Sequence, residues 1–123
     1  MPATGTTRSA RRRTYGCPVE VPISLIGGRW KPIILWYLLD SPRRNGELRR
    51  LIPRISQKML TQQLRELEAD GLVSRRVHDQ VPPKVVYSLT RQGRTLEPIL
   101  RALCDWGYYW ARRTGASIDV IDG

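Results

Sequence analysis

Between Ile33 and Leu39 the chain reads Ile-Ile-Leu-Trp-Tyr-Leu-Leu, almost wholly apolar. A helix apolar on nearly all sides has to be surrounded, so this stretch predicts a central helix with the rest of the domain packed round it. Its limits are marked by Pro32 near the start and by the breaker Asp40-Ser41-Pro42. Similar punctuation cuts the remainder into short pieces. "CPVEVPISLIGG" predicts a first helix ended by Gly27-Gly28, short or kinked because Pro22 is tolerated only near a helix start. "NGELRRLI" predicts a third helix stopped by Pro53, and "SQKMLTQQLRELEAD" a fourth with Ser56 as N-cap and Gly71 as its stop. Two β-rich runs around "HDQVPP" predict a hairpin, with Val85, Tyr87 and Leu89 alternating onto one face. Thr90 is expected to cap one long helix running to about Arg113.

A chain of 123 residues suits one small domain. Its formal net charge of +10 concentrates polyanions around it, which makes nucleic acid the first partner to consider. Only Lys31, Lys58 and Lys84 are lysines; the rest of the 21 basic residues are arginines, whose rigid fork suits phosphate oxygens and guanine edges. With His78 as the sole histidine and Cys17 and Cys104 far apart, no metal site, disulfide framework or nucleophilic relay is expected. No paired carboxylates or Gly-rich phosphate loop stand out, so neither an enzyme nor a cofactor is expected. The sequence shows no membrane-crossing run and no signal peptide, which points to the cytoplasm.

Residues 1–16 carry Arg8, Arg11, Arg12 and Arg13 and little apolar content, so they are expected to form a flexible basic arm. The domain is expected over residues 17–113, with 114–123 as a tail.

On a helical wheel the fourth helix turns Leu60, Leu64 and Leu67 inward, with Met59 and Gln63 on one flank. Lys58, Gln62 and Arg65 point the other way, with Thr61 beside them. A solvated face has no special need for amides, whereas Gln pairs with adenine edges and Arg with guanine. Glu66, Glu68 and Asp70 crowd the C-terminal end, where the helix macrodipole disfavours them. A short helix, the turn at "IPRI" and a helix opening at Ser56 have the outline of a helix-turn-helix, whose second helix enters the major groove. Lys58, Thr61, Gln62 and Arg65 are then the expected base contacts. The expected phosphate contacts are Arg49, Arg50, Arg54, Ser56, Gln57, Arg75, Arg76 and Lys84, with Arg43 and Arg44 also in reach, and the hairpin serves as a wing.

The segments "CPVEVPISLIGGRWKPIILWYLL", "RRNGELRRLIPRISQKMLTQQLRELEADGLVSRR", "VPPKVVYSLTRQGR" and "LEPILRALCDWG", in this order, resemble the HxlR family of winged helix-turn-helix regulators, similar in architecture to MarR-type regulators. The resemblance runs from about Cys17 to Gly107. It implies a mainly α fold with a small β-hairpin wing, dimerised through its terminal helices, and a homodimer bound to an inverted-repeat promoter site in double-stranded DNA, acting as a repressor. The residues support self-association separately. Leu96, Ile99, Leu100, Leu103, Trp106 and Trp110, with Tyr108 and Tyr109, offer more apolar surface than one small domain covers. Three positions depart from the family pattern: Asn45 replaces an aromatic residue, Pro22 interrupts the first helix, and Val86 stands where an acid is common.

Cys17, before Pro18 at an expected helix start and close in sequence to Arg13, Arg29 and Lys31, matches the "CP" position at which several HxlR-type proteins sense oxidants or electrophiles. The other route to a signal is a small-molecule effector in an aromatic-lined space near Trp30, Trp36, Trp106 or Trp110. A rival expectation is a winged-helix module that binds protein or RNA without reading DNA sequence, since fold does not fix function.

Overall fold

The computed structural model describes residues 14–119. The four arginines of the expected arm lie outside them, as does the end of the expected tail. Among the described residues the order is α1 (Glu20–Ile26), α2 (Lys31–Asp40), α3 (Asn45–Leu51), α4 (Gln57–Ala69), β1 (Val73–His78), β2 (Lys84–Leu89), α5 (Arg91–Arg94) and α6 (Glu97–Thr114).

The apolar stretch forms the centre, as its composition requires. Ile34, Leu35 and Leu38 of α2 are fully buried, while Trp36, Tyr37 and Leu39 pack half-buried around them. Each such aliphatic side chain contributes roughly 1.5–3 kcal/mol by leaving water. Leu48 and Leu51 from α3, Leu60, Leu64 and Leu67 from α4, and Val73 and Leu89 from the hairpin complete the core. Pro22 falls in the first turn of α1, where its missing N–H has no helical partner to lose.

The expected single helix from Thr90 is two helices. The Thr90 hydroxyl accepts from Gly93 N at 3.0 Å and donates to the Gly71 carbonyl at 2.6 Å, so it caps α5 and ties it to the end of α4. Gly93 is pressed against the α4–β1 junction, where a Cβ would collide with the Leu72 carbonyl oxygen. The chain turns again at Thr95–Leu96, and α6 opens at Glu97 with Pro98 in its first turn. It closes on Gly115 at φ 77°, a left-handed cap natural to glycine.

The hairpin is antiparallel, pairing Val73 with Leu89 at its base and His78 with Lys84 near its tip. Beyond the hairpin, Arg43 N donates to Tyr87 O at 2.9 Å and Tyr87 N to Arg43 O at 2.8 Å, so the α2–α3 connection adds a third short rung to β2. Burial does not alternate as expected along β2. Leu89 is buried and Tyr87 packs on the core, but Val85 is only half-buried, because the wing leaves the body before reaching it.

Candidate nucleic-acid interface

The two helices of the expected unit are built by local capping. Glu47 Oε1 accepts from Arg44 N at 2.7 Å and so satisfies a free donor at the start of α3. The turn that follows is held by Ile55 N donating to Ile52 O at 3.1 Å, with both isoleucines buried beneath it. Ser56 Oγ then accepts from Met59 N at 3.0 Å and starts α4. At the far end Gly71, at φ 79°, turns the chain into β1.

α4 presents the face its spacing predicts. Leu60, Leu64 and Leu67 are buried, whereas Lys58, Gln62 and Arg65 are exposed and Thr61 is half-buried beside them. Gln57 Nε2 donates to Thr61 Oγ1 at 3.0 Å, which places a residue expected on phosphate along the same row as the expected base contacts. Gln62 Nε2 donates to Glu66 Oε2 at 3.4 Å. Glu66 in turn receives Lys31 Nζ of α2 at 2.6 Å. This pairing explains the carboxylate that the helix dipole disfavours, since Glu66 answers a buried cation on another helix.

The basic side chains around this face differ in their freedom. Arg49 and Arg50 in the last turn of α3, and Arg54 in the turn, are exposed. Arg44 is exposed as well. Arg43 is not available: its Nε donates to Tyr37 O at 3.1 Å and its guanidinium meets Asp40 Oδ2 at 3.0 Å, with the side chain largely covered. On the wing, strand alternation separates two neighbours that the sequence treats alike. Arg76 lies opposite Val86 and shares a face with His78 and Lys84, while Arg75 lies opposite Tyr87 on the other face. Both arginines are exposed and Lys84 is half-buried.

The six residues expected at a two-fold contact divide. Leu100 is buried and Leu96 packs half-buried on the chain's own core. Ile99, Leu103, Trp106 and Trp110 stand 44–59% exposed on α6, together with Tyr108 and Tyr109. Trp106 and Trp110 stack at 5.4 Å between ring centroids, with planes 8° apart. An open groove of about 630 Å³ between α2 and α6 is lined by Trp36, Tyr37, Leu103, Tyr108 and Trp110, among others. Trp30 is elsewhere, half-buried on the core beneath Arg29.

Cys17 is exposed, three residues before α1 begins, and Cys104 is half-buried. Of the charges expected round Cys17, Arg13 lies outside the described residues, Lys31 is paired with Glu66 and Arg29 lies over Trp30. The Glu20 carboxylate accepts from Cys17 N at 3.1 Å. Among the described residues no cluster of His, Cys, Asp or Glu is placed to hold a metal ion, and no helix is long and apolar enough to cross a membrane.

Known proteins share this arrangement. The family described as HxlR-like helix-turn-helix matches residues 25–115. An HTH-type transcriptional regulator of Bacillus subtilis strain 168, YkvN, is 54% identical over 101 residues, covering 82% of this chain and 86% of its own. The redox regulator HypR in its oxidized form superimposes with a TM-score of 0.73 at 52% identity, over 85% of this chain and all of that one. The reduced form of the transcriptional regulator YodB from B. subtilis gives 0.66 at 41% identity, over 75% and 91%. With a capped helix-turn-helix, a hairpin wing and a family match across most of its length, the chain belongs to the HxlR-like helix-turn-helix family, a family of transcriptional regulators and not of enzymes.

Proposed function

We propose that this chain is a sequence-specific DNA-binding repressor that occupies an inverted-repeat promoter site as a homodimer in the cytoplasm. The observation that carries the reading is the exposed Lys58–Gln62–Arg65 row on the second helix of the helix-turn-helix, with Thr61 beside it. These side chains read base edges. Arg49, Arg50, Arg54, Ser56, Gln57, Arg76 and Lys84 hold phosphates on either side, and Arg75 reaches phosphate from the opposite face of the wing. The exposed α6 stripe Ile99, Leu103, Trp106 and Trp110, at helical spacing, forms the two-fold contact together with Ile23 of α1, which is 63% exposed. Two-fold pairing gives a short recognition helix two half-sites to bind at once.

The similar protein HypR is a redox regulator, and Cys17 is the more exposed thiol of this chain. In our reading an oxidant or electrophile acts at Cys17. A small-molecule effector would instead use the groove between α2 and α6. Comparing Cys17→Ser with the parent under diamide separates the two routes, because an unchanged DNA-binding response removes Cys17 from the mechanism.

The primary test is selection of sites from a random duplex pool at physiological salt. Enrichment of an inverted repeat with half-sites about one helical turn or a multiple apart supports the reading. Tight binding with no enrichment overturns it, leaving a non-specific polyanion binder.

A further inference from the structure

Lys31 is the one buried charged residue among the described ones, 6% exposed. It sits at the first position of α2, where a cation opposes the helix macrodipole. Its partner Glu66 lies in the C-terminal half of α4, where an anion opposes that helix's dipole in turn. Neither residue is placed to stabilise its own helix. A buried ion pair is also a poor source of stability, since desolvation offsets most of the attraction. The pair calls for another explanation.

The geometry offers one. Both oxygens of the Glu66 carboxylate have defined directions: Oε1 takes the Lys31 ammonium at 2.6 Å and Oε2 takes Gln62 Nε2 at 3.4 Å. A carboxylate can only accept, so the Gln62 amide must turn its NH2 end toward Glu66 and its carbonyl oxygen away. An exposed glutamine otherwise samples both flips at little cost. The Lys31 side chain is only 8% exposed, so Glu66 ties the outer face of α4 to a group held within the core.

We propose that Lys31 and Glu66 are positioning residues that set the orientation of the Gln62 amide and thereby the base it prefers. With one N–H held by Glu66, the amide offers its carbonyl and its second N–H to a base. That is the acceptor-and-donor pair which matches adenine N6 and N7. The inference rests on α4 reading bases, and the test separates its failure from a failure of that reading.

The test measures the ratio of affinities for the selected duplex and for random duplex at one salt concentration. The proteins compared are the parent, Gln62→Ala, Lys31→Met, Glu66→Gln, and each of the last two combined with Gln62→Ala. Urea unfolding curves confirm that the proteins are folded. We expect Gln62→Ala, Lys31→Met and Glu66→Gln each to lower the ratio by about fivefold or more, the lower end for one bidentate base contact. In the Gln62→Ala background the other two substitutions should change the ratio by less than about twofold, since additivity fails for residues that act together. Loss of preference should be confined to one base step per half-site.

A ratio that falls with Gln62→Ala but holds in both Lys31→Met and Glu66→Gln overturns the positioning role and leaves base reading intact. An equal fall in either background shows a merely structural effect, which also overturns it. If Gln62→Ala itself leaves the ratio unchanged, base reading by Gln62 fails, and there is no contact left to position.

Discussion

Lys31 Nζ and Glu66 Oε1 lie 2.6 Å apart and join the first residue of α2 to the C-terminal half of α4. The lysine side chain is 8% exposed and the glutamate 29%, so the two ends of the pair differ in what they lose if left alone. Without Glu66 the ammonium is stranded in the core. Without Lys31 the carboxylate still reaches water.

That asymmetry predicts unequal stability effects. Glu66→Ala should destabilise the fold by about 3 kcal/mol, near the low end for breaking a buried pair. Lys31→Met, which replaces the buried charge with an apolar chain of similar length, should stay within about 1 kcal/mol of the parent. Urea unfolding followed by tryptophan fluorescence, at fixed protein concentration, measures both. Equal losses would show that Glu66 is no better solvated than Lys31.

Arg43 and Arg76 should part company in the same way. Arg76→Ala removes an exposed wing cation and should reduce the slope of log Kd against log salt by about one, on preferred and random duplex alike. Arg43→Ala loses the contacts to Tyr37 O and Asp40, so it should lower stability by about 1–3 kcal/mol and leave the slope unchanged. A salt titration of binding together with an unfolding curve decides between them.

Gly93 leaves no room for a side chain. Gly93→Ala forces a methyl group against the Leu72 carbonyl, and should destabilise by about 1–3 kcal/mol through overpacking, even though alanine favours helices. Thermal unfolding reads the sign. A more stable variant would mean that α5 shifts freely.

Self-association should depend on the outer stripe of α6 and not on its inner one. Leu103→Glu with Trp106→Glu should give monomers by sedimentation velocity, with the fold retained, because both side chains are more than half exposed. Leu100→Ala should instead cost about 2–5 kcal/mol of stability as a core truncation. A double variant that stays dimeric would move the contact off α6.

The sequence was most legible where one physical demand acts alone. All-round apolarity placed α2 at the centre, and the leucine period of α4 picked out its buried row. Ser56 and Gly71 marked its ends. Legibility failed where a residue serves a partner distant in the chain. Gly93 reads as an ordinary helix glycine until the Leu72 carbonyl is set against it. Leu100 joins the exposed stripe by composition and leaves it by its angle on the helix. Arg43 has the charge of a phosphate ligand, and only the fold shows Tyr37 and Asp40 waiting for it. Lys31 and Glu66 each contradict their own helix dipole. That double contradiction was the signal available in the sequence, but pairing residues 31 and 66 required the fold.

The rung between Arg43 and Tyr87 makes the wing a cantilever. At the root, β2 is flanked on both sides, by β1 and by the α2–α3 connection, and Thr90 pins the chain where it leaves. The tip beyond Val77 and Val85 has no such support. Lengthening that tip, or changing its charge, would alter the reach of the wing while its root and α4 kept their alignment.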